Sequence, residues 1–293
     1  MTAYSPLATG PTSTPKDESV QLQVQVQGAG LLDRPLRSPV QVRVVDGLVR
    51  TGRTMTSQAI ITIDGPAATG KTSVAHGVAK ALGFDFLDTG AMYRAAALLA
   101  LESGLVKPGQ VDGYDRAVQD GLIGVVERTA MAFDWSKDPP ALTCNGRDVM
   151  ERIRDDDVTG IVSPIAGIPA LRAIMVAKQR QIAVDHPRLV TEGRDQGAIV
   201  FPGAPVKFFL DADPMIRAKR RRDQMLCRRN HLGTSEPVPT LATIAQQLLD
   251  RDAADASAGR LLRPGDAIVV DTSALNFQQV VDCLVEHARR LLD

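Results

Sequence analysis

Gly65-Pro66-Ala67-Ala68-Thr69-Gly70-Lys71-Thr72 is the stretch that decides the fold of this chain. It matches the pattern G-x-x-x-x-G-K-[ST], and its setting is as informative as its letters. The apolar run Ala59–Ile63 leads in as a strand, and a helical stretch to about Leu82 leads out. Gly65 and Gly70 permit the backbone path that turns successive N–H groups toward a bound phosphate. The positive end of the following helix adds to the attraction. Pro66, Ala67, Ala68 and Thr69 form the arc between the glycines. Lys71 is expected to reach the β- and γ-phosphates of the nucleotide and Thr72 to offer its hydroxyl to Mg2+, with Ser73 completing the triphosphate-binding stretch. The motif identifies triphosphate binding and leaves the reaction open.

Outward from the loop, strands and helices alternate. Phe84–Leu87 reads as a second strand and Met92–Glu102 as a helix. Leu189–Thr191 and Val206–Leu210 read as two further buried strands, the latter followed by a helix opening at Pro214. Ala267–Val270 makes a fifth strand, and a helix from about Phe277 closes the chain. This alternation predicts an α/β fold, a mostly parallel sheet covered on both faces. Two insertions break it. Residues 111–168 carry strand-like runs at Leu122–Phe133 and Leu142–Thr143 with a turn at Asn145-Gly146. Residues 223–263 carry a basic loop with glycine and proline, then one helix. Insertions at the ends of parallel strands are where ligand-covering subdomains belong. Trp135 and its apolar neighbours are expected in the core of the first insertion, and His76 is expected to pack or face solvent rather than act.

Residues 1–57 differ from the rest. Their Thr-, Ser- and Pro-rich start reads as disordered, and Val20–Val26 and Val40–Val44 alternate at period two like edge strands. They carry no recognisable chemistry. The stretch reads as a poorly ordered extension or a non-native start; one explanation is that translation begins at Met55, just ahead of the first core strand.

Composition excludes several classes. Thirty-four basic residues balance thirty-four acidic ones in a chain of 293, so net charge calls for neither a nucleic-acid nor a membrane partner. An anionic ligand must therefore be held by locally gathered positive charge. No apolar run is long enough for a membrane span, and the N-terminus lacks the basic-then-apolar order of a signal peptide. Cys144, Cys227 and Cys283 lie far apart and without zinc-site spacing. A cytoplasmic, monomeric enzyme is expected.

The reaction is narrowed at two strand ends. No guanine-reading N-K-x-D sequence is present, and no long apolar strand ends in an Asp-Glu pair as in motor ATPases. Instead one strand runs into Asp88-Thr89-Gly90-Ala91-Met92-Tyr93-Arg94 and another into Thr191-Glu192-Gly193-Arg194-Asp195-Gln196-Gly197. Each places an arginine beside the phosphate loop, where planar guanidinium forks grip a phosphate acceptor bidentately. Taken alone, Arg194–Asp195 also fits a structural ion pair. Arg220-Arg221-Arg222 with Arg228-Arg229 also fits a solvated helix face or a nucleic-acid patch.

These segments resemble bacterial cytidylate kinases, from Ile60 to the C-terminus. The likeness is carried by Ile63-Asp64-Gly65-Pro66, by the two strand-end motifs, and by Val200-Phe201-Pro202 with Ala204–Ala212. Val162-Ser163 with Arg172, and Arg251-Asp252 with Asp255, extend it. P-loop kinases for shikimate or gluconate share the first loop but not these later segments. The resemblance implies a P-loop nucleoside monophosphate kinase fold: a five-stranded parallel sheet, a nucleotide-binding insertion at 111–168 and a lid at 223–263. It implies ATP, CMP and dCMP as substrates with Mg2+ as cofactor. By that match Thr89, Ser163, Arg172 and Asp195 surround the cytosine, while Tyr93, Arg94 and Arg194 hold the acceptor phosphate. Arg251 and Asp255 face the sugar and its phosphate, and Arg217, Arg220 and Arg221 stand near the ATP phosphates. Lys71, Arg94, Arg194 and those three arginines form the catalytic set. Glu192 ends its strand where a carboxylate holds a Mg2+-bound water. One departure stands out: the family's further lid arginine falls on Ala258, with Arg260 two residues on. A kinase of broader small-molecule specificity, or a nucleotide-binding module without turnover, are the alternative readings.

Overall fold

The first strand, β1 (Ala59–Asp64), divides its side chains between two layers. Ile61 and Ile63 are fully buried on one face, in a cluster with Val74 and Val78 of helix α1 (Lys71–Leu82). Ile60 belongs to the cluster on the other face. This two-sided burial is why the strand is a near-continuous apolar run, as parallel sheets require. The protein is described by a computed structural model covering residues 59–233, 235 and 237–293; the expectations for residues 1–57 lie outside the described residues.

From α1 the chain forms β2 (Asp85–Asp88) and α2 (Thr89–Glu102), then an insertion of α3 (Arg116–Arg128), β3 (Met131–Asp134), β4 (Ala141–Cys144), β5 (Arg147–Asp148) and α4 (Asp156–Ala166). Helix α5 (Pro169–Asp185) leads back to β6 (Arg188–Glu192) and β7 (Val206–Asp211). Helices α6 (Pro214–Leu232) and α7 (Leu241–Ser257) precede β8 (Ile268–Asp271) and α8 (Phe277–Leu292). The main sheet has the order β2-β6-β1-β7-β8, and every neighbouring pair is parallel. Helices α1 and α8 cover one face, through Val74, Val78, Val280 and Leu284. Helices α2, α4 and α5 cover the other, through Met92, Leu98, Ile161, Ile165 and Leu171. The chain leaves β1 toward one edge and later passes to the other, so a crevice opens above the carboxyl ends of the central strands. Register puts acids along its floor: Asp88 pairs with Glu192, and Glu192 with Ile63, next to Asp64. Among the described residues no single helix is long and apolar enough to cross a membrane.

Three local readings are corrected. The strand-like run at Leu122–Phe133 is helix α3 as far as Arg128, and only Met131–Asp134 is strand. Val118, Leu122, Val125 and Val126 recur at helical spacing and turn inward together, and Asp115 caps the helix by accepting from the Val118 N–H. The β-branched pair Val125-Val126 suggested a strand; burial of one helical stripe overrode that preference. The basic stretch that begins the second insertion is not loop, because α6 continues unbroken to Leu232. Trp135 is half-buried rather than core, its ring stacked on that of His186 with centroids 3.8 Å apart.

Candidate active site

The phosphate loop joins β1 to α1 by backbone geometry that few residues allow. Gly65 has φ of 145°, and a Cβ there would lie 2.1 Å from the carbonyl oxygen of Leu210 on β7. Only glycine fits that approach. Gly70 stands at the N-cap of α1 with φ of 93° and supplies no side chain to cap it. The first N–H groups of α1 therefore point into the crevice with no side chain on them, as an anion site needs. Thr69 donates its hydroxyl to the Pro66 carbonyl at 3.1 Å, and the Lys71 ammonium donates to the same oxygen at 2.6 Å. Burial, then the charge of Arg194, lowers the Lys71 pKa, while Glu192, Asp64 and Asp252 act the other way. An arriving polyanion would favour its charged form.

Beside the loop, the Thr72 hydroxyl donates to Glu192 Oε1 at 3.0 Å. Burial raises the Glu192 pKa, and the neighbouring charge of Asp88 raises it further, against Lys71 and the Thr72 bond. A hydroxyl and two crowded carboxylates at the ends of β2 and β6 suit Mg2+, which is held by few protein oxygens together with substrate phosphates. A divalent cation would also relieve the repulsion between the two acids. The donor set fits the metal.

Across the crevice lies a field of arginines and acids. Arg94, on α2, donates to the Ile153 carbonyl at 3.3 Å and the Thr159 hydroxyl at 2.8 Å. Burial, and then Arg251, push its pKa down to about 10. Arg194 reaches Asp252 at 3.3 Å and Asp255 at 3.1 Å, whereas Asp195 pairs with Arg172 of α5. Each partner of the Arg194–Asp195 pair is thus engaged elsewhere. Burial raises the Asp195 pKa, with Arg172 opposing. Tyr93 is pushed up to about 12 by burial, with the charge of Arg172 opposing and that of Asp195 adding. Thr89 gives its hydroxyl to the Glu192 carbonyl at 2.7 Å and so braces the floor of the site. Ser163, on α4, accepts on its carbonyl oxygen from Arg260 at 3.2 Å. Among the described residues, the buried guanidinium Nε groups of Arg217, Arg251 and Arg260 have no hydrogen-bond partner. Such orphaned donors around one crevice call for an anionic ligand.

Residues 61–290 match the sequence model of the cytidylate kinase family. The chain is 38% identical over 238 residues to "Cytidylate kinase" of Mycobacterium avium (strain 104), spanning 80% of this chain and 97% of that one. It is 39% identical over 241 residues to "Cytidylate kinase" of Nitratidesulfovibrio vulgaris (strain DP4), spanning 82% and 96%. The chain belongs to the cytidylate kinase family. A solved shikimate kinase from Bacteroides thetaiotaomicron aligns with a TM-score of 0.38 at 11% identity, covering 80% of this chain and 98% of that one, too distant to bear on function.

Within this cytidylate kinase fold, the arginines of α6 do not act alike. Arg217 is buried and donates to the Ala67 carbonyl at 3.1 Å. Arg221 lies near enough to lower the Arg94 and Arg251 pKa values through its charge. Arg220 donates to the Thr272 hydroxyl and carbonyl, at 2.9 and 2.6 Å, and to the Thr69 carbonyl at 3.4 Å, so it spans the loop after β8 and the phosphate loop. Arg228 crosses to Asp155 at 2.5 Å and joins the end of α6 to the insertion. His76 faces Asp138 on the surface, away from the crevice. Arg260 sits where the shifted lid delivers it. Helix α7 ends at Ser257 with Ala258 as its C-cap, Gly259 takes the left-handed conformation with φ of 62°, and the Arg260 N–H returns to the Asp255 carbonyl at 2.7 Å. That turn brings the Arg260 guanidinium 3.0 Å from Asp255 and onto Ser163.

Sequence reasoning gave no role to Asp64, Asp88 or Asp252. Asp64 is fully buried and accepts from the Gln196 and Gly197 N–H groups, both at 2.8 Å. It ties the phosphate loop to the segment bearing Arg194 and Asp195. Burial pushes its pKa up to about 6, against those two bonds. The signal available was position: each acid adjoins a motif already singled out.

Proposed function

We propose that the protein transfers the γ-phosphoryl group of ATP to the phosphate of CMP and dCMP, yielding ADP with CDP or dCDP. One observation carries this reading. A cradle of backbone N–H groups faces arginines suited to a second phosphate, and a carboxylate–guanidinium pair, Asp195–Arg172, stands on the same side. Family membership supports it.

In this reading Gly65–Ser73 hold the triphosphate, and Lys71 neutralises charge that spreads over the transferring group. Arg94, Arg194 and Arg251 grip the acceptor phosphate, and Arg217, Arg220 and Arg221 stand near the ATP phosphates from α6. Asp255 serves the sugar, with Tyr93 against the nucleotide. Arg172 and Asp195 read the base. A carboxylate accepts from the cytosine amino group but repels the uracil O4 carbonyl; a guanidinium donates to cytosine N3 but meets an N–H at that position in uracil. Thr72 and Glu192 would hold Mg2+, which supplies positive charge to the phosphates. The acceptor oxygen is already ionised near neutral pH, so no general base is required. Closure of the lid excludes water that would otherwise take the phosphoryl group. Cys144, Cys227 and Cys283 are all free thiols, as suits the cytoplasm.

The test is a coupled assay of ADP release across a panel of acceptors. CMP and dCMP should far exceed UMP, AMP, shikimate and gluconate. Comparable rates across the panel would favour a broad small-molecule kinase. ATP binding with no ADP release would favour a module without turnover.

A further inference from the structure

The phosphate loop already carries a carboxylate. Asp252, on α7, accepts from the Ala67 N–H at 3.1 Å, within the loop itself. The same side chain accepts from Arg217 and, at 3.3 Å, from Arg194. Loop N–H groups and arginines are what a triphosphate also requires. Two carboxylate oxygens spread over one N–H and two guanidinium groups reproduce the charge and donor pattern of a bound phosphate edge. The contact is firmly seated: Ile244, Ala245 and Leu248 of α7 cluster with Ala218 of α6, and Ala67 and Ala68 pack against that cluster. Asp252 lies one helical turn beyond Leu248, which aims it at the loop.

We propose that Asp252 is a built-in stand-in for nucleotide phosphate, holding the loop and its arginines through its own carboxylate and exchanging with ATP phosphate when nucleotide binds. The inference rests on the ATP-binding reading above. Two anions within hydrogen-bonding distance of the same donors repel each other, so carboxylate and phosphate exclude one another there. Asp252 is carried by the lid, so its release couples triphosphate binding to movement of α7. Asp252 and Asp255 neutralise Arg194, Arg217 and Arg260, so these cations are held together by the protein's own carboxylates. It also means that part of the attraction for ATP is consumed in displacing an internal ligand.

The decisive property is the sign of the effect. Asp252→Asn and Asp252→Ser remove the competing charge, so calorimetric titration with MgATP, without CMP, should show affinity at least about fivefold tighter than wild type. Damage to a merely structural contact would weaken binding. Unchanged or weaker affinity in either folded variant, alongside a wild type that binds ATP, overturns the proposal and spares the functional reading. No ATP binding by wild type overturns both. Should neither variant fold, a crystal structure of the wild type with a non-hydrolysable ATP analogue and Mg2+ decides. Loss of the Asp252–Ala67 hydrogen bond supports the exchange, and its retention refutes it.

Discussion

The two sides of the crevice are built on different principles. In the proposed reading the donor side is one continuous stretch, Gly65–Ser73, whose backbone would do most of the binding. Its shape depends on glycine where Leu210 approaches and on a helix that starts without a side-chain cap. The acceptor side is assembled from side chains on α2, α4, α5, the segment after β6, and α7. A backbone cradle allows little variation in spelling, because each N–H must point one way. A side-chain field needs only that a guanidinium arrive, from whatever point on the chain. On that principle we propose that Arg260, carried by the Gly259 turn to Asp255 and Ser163, does the work of the arginine expected at Ala258.

The largest effect should come from the donor side. Lys71→Ala removes a charge acting on the transferring group, and turnover should fall at least a hundredfold, a loss of about 3 kcal/mol of barrier stabilisation. CMP affinity, measured by calorimetry without ATP, should stay within about twofold, since in the proposed reading Lys71 acts on the donor phosphates and the acceptor is gripped by the arginines. A parallel collapse of CMP binding would show that the two sides are not separable.

On the acceptor side the expected effect is on selectivity. Wild type should prefer CMP over UMP by at least about a hundredfold in kcat/KM, consistent with a few kcal/mol of mispairing. Asp195→Ala should shrink that ratio mainly by losing CMP. A wild-type ratio near one would remove the base-reading roles of Asp195 and Arg172.

A smaller effect tests the tolerance of the side-chain field. Arg260→Ala should lower turnover about fivefold, or roughly 1 kcal/mol, with little change in Tm, because Asp255 keeps its pairing with Arg194. An unchanged rate would mean the lid works without the displaced arginine. The smallest effect concerns residues outside both sides. A chain shortened to begin at Met55 should fold and turn over CMP with unaltered kinetics, since the family match begins at residue 61. Inactive or insoluble protein would give the preceding residues a part in one of the two sides.

What was legible in the sequence follows the same division. The phosphate loop, the strand–helix alternation and the arginines past two strand ends are written locally. Contiguous letters and short periods encode them, because backbone geometry and one-sided burial act over a few residues. Helix α3 was misread where the local preference of Val125-Val126 conflicted with burial that only the packed insertion supplies. The pairing of Asp88 with Glu192, the bond from Ala67 to Asp252 and the reach of Arg260 to Ser163 link residues 104, 185 and 97 positions apart or nearly so. Only the tertiary structure decided those. Strand order, register and the turn that ends α7 determine which charges meet, and electrostatic partnership depends on distance in space rather than along the chain.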